Sequence, residues 1–238
     1  MPDILDAGRM ALGLVLTLDP GLVRVVALSL AVGLSASAAA AAVGLPLGAV
    51  LAVFRFPGRS VLILLSNALL GLPPVVVGLV LYLLLSRSGP FGGAGLLFTP
   101  AAMAIAQFLL ALPIVTALSH RAMAGVWQEY GDELLMDVAR RRQTIPHLLA
   151  IGRLSALTAA LAGFGRSISE VGAILMVGGN IAGYTRTMTT SIVLETSQGH
   201  FAFALALGLV LVAISIAVTA GAFAVEAAAR RTRSWSLA

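Results

Sequence analysis

From Val25 to Phe54 the chain carries no charged residue. No water-facing surface can be built from such a stretch, and it exceeds the roughly 20 mostly apolar residues that a helix needs to cross a bilayer. Similar charge-poor runs recur, so spans are expected at about 24–53, 61–86, 101–120, 147–176 and 201–225. Composition agrees: 59% of residues are apolar and 11% charged, against roughly 25% charged in a soluble domain. The expected fold is an all-α polytopic membrane protein with about five transmembrane helices.

The remaining charge reports sidedness. All 15 basic residues are Arg and the net charge is +5. In a soluble protein that excess would point to nucleic acid; here the arginines sit at the ends of apolar runs, so no nucleic-acid partner is expected. Five spans place the termini on opposite sides. With the N-terminus outside, ten arginines (55, 59, 121, 140–142, 153, 230, 231 and 233) fall on the inner side and four (9, 24, 87 and 186) on the outer. The positive-inside rule therefore selects N-out, C-in. Residues 1–20 are read as an interfacial segment, whose helix at about 3–18 ends at Asp19-Pro20. Its acidic start lacks the positive region of a signal peptide. Residues 21–228 form the transmembrane domain and 229–238 a cytoplasmic basic tail.

Several functions are excluded at this stage. There is no Cys, and His120, His147 and His200 have no ligand spacing, so no metal site is expected. No Walker motif or catalytic constellation occurs, which leaves no catalytic residue and no means of hydrolysing ATP in this chain.

The longest polar segment, 121–146, falls on the inner side. Val126, Tyr130, Leu134 and Val138 recur every four residues, with Leu135 beside them, giving a short helix one apolar face. Glu129, Asp132, Glu133 and Asp137 cover much of the rest. Arg140-Arg141-Arg142 suits the negative end of the helix dipole, and Pro146 suits the first turn of the next helix. Periodicity leaves two readings open: an amphipathic loop among headgroups, or a helix docking into a groove on a soluble partner.

The run Asp132-Glu133-Leu134-Leu135-Met136-Asp137-Val138-Ala139, with Pro146 downstream, resembles the EAA loop of ABC-importer permeases. Glu133, Leu134 and Val138 stand where that family usually has two small residues and a Gly. Four further runs are similar to the tungstate- and molybdate-importer permeases: Gly71-Leu72-Pro73-Pro74-Val75-Val76-Val77-Gly78, Leu81 to Pro90, Gly163 to Ala173, and Val177 to Arg186 followed by Met188-Thr189-Thr190. The resemblance covers spans two to five. It implies a type I ABC importer permease that works as a homodimer in the bacterial inner membrane. Its partners would be two cytoplasmic ATPase subunits, which hold the ATP and Mg, and an extracytoplasmic tungstate-binding protein. It also implies a cytoplasmic coupling helix that seats in the ATPase through Glu129, Asp132, Glu133, Leu134, Leu135, Val138, Ala139 and Pro146. The cargo implied is an oxyanion, tungstate first, with molybdate as the alternative.

A second group of residues is expected at the translocation path or a gate. Arg166 and Glu170 are four apart and are read as sharing a helix face. Each charge costs roughly 2.5–3.5 kcal/mol at the bilayer centre, so they must pair or face water. The pair either only fixes span four or lines the path. Gly178-Gly179-Asn180 can form an anion-binding nest, and Thr185, Arg186, Thr189 and Thr190 are good oxyanion donors; a Gly-rich turn with Thr caps is the competing reading. Glu195 is read either as orienting Arg186 or as contacting the binding protein. Pro73 and Pro74 kink span two, as packing or as a gate. Gln107 in span three reads as an interhelical hydrogen bond. An ion-coupled secondary transporter would need an internal repeat and a free titratable site, and a membrane enzyme would need a catalytic cluster; neither pattern occurs.

Overall fold

Asp19 separates the first two helices. α1 (Ile4–Leu16) ends in a turn where Leu18 adopts φ 51°, and the Asp19 carboxylate accepts the Leu22 N–H at 3.0 Å to cap α2 (Pro20–Val53). Pro20 opens α2, where its missing N–H needs no partner. The computed structural model describes residues 4–137 and 140–235; Val138 and Ala139 lie outside them.

The other described helices are α3 (Arg59–Ala68), α4 (Pro74–Leu85), α5 (Pro100–Asp137), α6 (Thr144–Ile151), α7 (Arg153–Ile168), α8 (Gly172–Gly178), α9 (Met188–Ser197) and α10 (Phe201–Trp235). Among the described residues, α2, α5 over Pro100–Met136 and α10 over Phe201–Gly221 are each long and apolar enough to cross a membrane. Two broken pairs qualify jointly: Arg59–Gly71 with α4, and Arg141–Ile151 with α7. Counting each pair as one span gives five.

Two expectations require correction, and one is sharpened: the prolines do interrupt span two, by a full break. α3 gives way to a 3-10 turn at Leu69–Gly71, Pro73 is extended (φ −66°, ψ 118°), Pro74 begins α4, and the two parts meet at 103°. Pro74 lacks the N–H that would continue a ladder, and proline disfavours helical geometry in the residue before it. Span four is also interrupted, bending by 76° at Gly152 and ending at Ile168, well short of 176. Finally, no separate short helix covers the polar loop. α5 continues from span three through Arg121 to Asp137, because no Gly or Pro signal stops it between 114 and 124 and its apolar stripe persists.

The chain forms two compact units. The first comprises Met1–Ala36, Pro73–Gln107 and Arg166–Ala217. Within it α4 packs on α8 through small residues. A methyl group added at Gly78 would lie 2.8 Å from the Ala173 Cα, and one at Gly172 would lie 2.8 Å from a Val75 methyl. In an apolar solvent such close backbone approach replaces the hydrophobic effect as the driving force.

The second unit comprises Ser37–Leu72, Phe108–Gly165 and Val218–Ala238. Here Gly44 and Gly48, one turn apart on α2, lie against α5. A methyl at Gly48 would come 2.6 Å from the His120 backbone N, and the Ser119 hydroxyl donates to the Leu45 carbonyl at 2.9 Å. Below this crossing, Ala49, Val53, Met123, Val126, Leu134 and Leu148 form a buried cluster. Arg59 donates from Nε to the Leu51 carbonyl at 2.7 Å, satisfying the last turn of α2 with a cation.

Candidate translocation and coupling sites

In the first unit, the break between α7 and α8 is organised around Glu170. The helix ends at Ile168, so Glu170 does not share a helix face with Arg166 as the spacing had implied. The two still meet, Arg166 Nη1 to Glu170 Oε2 at 3.3 Å, across the helix end. Glu170 Oε1 accepts the Ala173 N–H at 3.2 Å and so caps α8, while its carbonyl accepts the Thr189 hydroxyl at 2.7 Å. A carboxylate that is 3% exposed is thus held by a cation, a backbone amide and a tether to α9. Its desolvation is offset by charge-assisted bonds rather than by water.

The threonines expected to receive an oxyanion are committed to the protein backbone. Thr185 is fully buried; its hydroxyl donates to the Gly178 carbonyl at 2.5 Å and accepts the Ile181 N–H at 2.9 Å. Thr190 accepts the Thr187 N–H at 3.0 Å and thereby caps α9. The N–H groups of Tyr184, Thr185 and Arg186 all donate to the Ile181 carbonyl. The tight loop relies on left-handed backbone at Gly179 (φ 69°), Asn180 (φ 50°) and Gly183 (φ 74°), which explains the glycines at its two ends. Asn180 Oδ1 is buried without a partner. Arg186 is half-buried; one guanidinium nitrogen lies 4.0 Å from Glu195, which also contacts His200 at 2.8 Å. Pro73 is exposed and Pro74 half-buried at the broken span. Among the described residues no three His, Asp or Glu side chains converge as metal ligands.

In the second unit, the coupling candidates divide by exposure. The stripe read as a docking face turns inward: Leu134 is 8% exposed and belongs to the cluster around Met123, with Tyr130 packed against it and Leu135 half-buried. Glu129, Asp132, Glu133 and Pro146 are exposed. Met136 is 85% exposed near the end of α5, an apolar side chain not covered by this chain. Beyond it, Arg140, Arg141 and Arg142 are exposed around a 3-10 turn, where the Gln143 side chain accepts the Arg140 N–H at 3.0 Å. In the same unit, Arg121, Ser155 and Thr158 line a cavity of about 420 Å³ between α5 and α7, and Arg121 donates to Asn67 at 2.5 Å.

No family model matches the chain. Among curated proteins, a probable anion ABC transporter permease of Haloferax volcanii is 42% identical over 184 residues, 75% of this chain and 79% of the relative. The tungstate uptake system permease protein TupB of Peptoclostridium acidaminophilum is 37% identical over 201 residues, 84% of this chain and 88% of the relative. The chain belongs to the ABC transporter permeases. A more distant similarity, 30% over 148 residues, is to the molybdenum transport system permease protein ModB of Azotobacter vinelandii.

The permease also contains polar positions that the sequence did not single out. Ser29 on α2 accepts the Met188 N–H at 2.7 Å and donates to the Val25 carbonyl, fixing the start of α9. Thr187 is as buried as its neighbours. A lone Ser in an apolar run carries no sequence signal; only its spatial neighbour gives it a role. Gln107 does form the expected interhelical bond, donating to the Ser167 carbonyl at 2.9 Å.

Proposed function

We propose that this permease is the membrane subunit of an ATP-driven importer for a tetrahedral oxyanion, tungstate first and molybdate as the alternative. The observation that carries this reading is the 37–42% identity, over three quarters or more of the chain, to a probable anion permease and a tungstate uptake permease. ATP and Mg belong to two cytoplasmic ATPase subunits, and an extracytoplasmic binding protein delivers the anion. Two copies of the chain form a homodimer in the lipid of the cytoplasmic membrane, N-terminus outside and C-terminus inside. Ten arginines on the inner side against four outside support that orientation.

Coupling is assigned to the exposed part of the α5 terminus and the turn after it: Glu129, Asp132, Glu133, Met136 and the Arg140–Arg142 run, with Pro146 opening the return helix. Leu134 and Leu135 hold that terminus to the permease core. Val138 and Ala139 lie between these groups in the chain. Closure of the ATPase dimer would displace this segment, and differential contacts in each state would switch access across the membrane. Path or gate roles are assigned to the broken spans: Pro73 and Pro74 at the 103° break, and Arg166, Glu170, Asn180, Thr185, Arg186, Thr189 and Thr190 around the α7–α9 region. In this reading Glu170 and the threonines shape the gate while the arginines supply the field for an anion.

The test is uptake of tungstate and of molybdate into proteoliposomes holding the permease, its ATPase and its binding protein. ATP-dependent accumulation of either anion is expected. A stable complex that accumulates neither overturns the assignment.

A further inference from the structure

The first unit contains a cavity of about 350 Å³ whose wall is built from the start of α2 and the loop before α9. α2 contributes Arg24 and, along one face below it, Leu28 and Ala31; the loop contributes Gly183, Tyr184 and Arg186. Two arginines therefore line one small space. Among the described residues Arg24 has no acidic partner. Arg186 reaches only Glu195, at the 4.0 Å limit, and Glu195 is already engaged with His200 at 2.8 Å. In addition, Arg186 Nε is buried with no acceptor. A buried guanidinium N–H without a protein acceptor is a position that an anion or a water can fill. Gly183, held at φ 74°, keeps the loop next to Arg24: a methyl there would already touch a guanidinium nitrogen at 3.9 Å.

We infer that the cavity between Arg24 and Arg186 is a binding site for a tetrahedral oxyanion group. Planar guanidinium forks match such oxygens. The apolar α2 wall lowers the local dielectric and strengthens both contacts. None of this uses the threonine hydroxyls or the Tyr184, Thr185 and Arg186 amides, which are satisfied internally. Two sources carry this chemistry. One is the transported dianion entering from outside, which rests on the import reading above. The other is the phosphodiester of an anionic phospholipid, whose acyl chains would follow the apolar face that descends from Arg24; this does not depend on that reading.

The test uses the purified full-length permease. Equilibrium dialysis against tungstate, with sulfate as competitor, reads the free anion; native mass spectrometry after reconstitution in phosphatidylglycerol or phosphatidylcholine reads retained lipid. Saturable tungstate binding or selective retention of phosphatidylglycerol is expected, identifying the source. Arg24→Gln and Arg186→Gln are each expected to weaken that binding about tenfold or more, from the loss of a charged hydrogen bond. Arg87→Gln, at a residue that does not line the cavity, should leave it unchanged. Ala31→Leu, which fills the cavity without altering charge, should weaken it too. Absence of both ligands from the wild type, or binding indifferent to both arginine variants, overturns the inference. Intact binding in a complex that accumulates no anion would count against the import reading alone.

Discussion

Arg166 and Glu170 meet at 3.3 Å across the end of a helix, not along it. Arg166 sits in the last turn of α7, and Glu170 lies in the break before α8, where it accepts the Ala173 N–H. The pair therefore joins two elements, and the Thr189 hydroxyl on the Glu170 carbonyl adds a third.

Removing one member should expose that role. Arg166→Ala leaves a buried carboxylate without its cation and is expected to cost about 3 kcal/mol. Glu170→Gln keeps an acceptor for Ala173 and should cost less. The double variant should cost less than the sum of the singles, as read from thermal unfolding in detergent; strict additivity would show that the two residues act independently.

The glycines of α1 and α2 supply a graded series. Gly48→Ala forces a methyl to 2.6 Å from α5 backbone, whereas at Gly44 the nearest atom would be 3.0 Å away, and at Gly8 nothing lies within 4 Å. Overpacking typically costs 1–3 kcal/mol, so the expected order of destabilisation is Gly48, then Gly44, with Gly8→Ala near neutral. Melting temperatures of the three purified variants check it.

Leu134 and Met136 are two residues apart and should behave oppositely. Leu134→Asp places a carboxylate in the cluster with Met123 and Leu148, a cost of several kcal/mol that should abolish monodisperse permease. Met136→Asp alters an 85% exposed side chain and should leave folding intact. Its effect is expected in co-purification of the ATPase, lowered about tenfold. Normal ATPase capture by Met136→Asp would remove Met136 from the docking surface.

Thr185→Val and Thr189→Val should lower stability by about 1–3 kcal/mol each, because each leaves a buried carbonyl or amide unpaired. Anion affinity, measured by the same dialysis as above, should change far less than in Arg186→Gln. A larger affinity loss for either threonine would return the hydroxyls to the anion path.

What the sequence determined alone is what depends on composition and local order. Charge-free runs set the number and approximate place of the spans, since an unpaired charge in hydrocarbon is costly wherever it falls. Pro73-Pro74 and Asp19-Pro20 marked helix breaks because the missing N–H acts within its own chain segment. The family was legible in contiguous motifs, and the polar residues that cluster near Glu170 stood out because they are rare in apolar surroundings. Tertiary structure alone decided direction and partnership. A four-residue stripe does not say whether it faces a partner or its own core, and Leu134 turned inward because Ala49, Val53 and Leu148 are there to meet it. Spacing placed Arg166 and Glu170 on one face, but the helix stopped between them once Glu170 could cap α8. Arg24 and Arg186 are 162 positions apart, and only packing of the loop at Gly183 against α2 brings them to one cavity. Long-range neighbours carry the energy of a buried polar group, and no local rule encodes them.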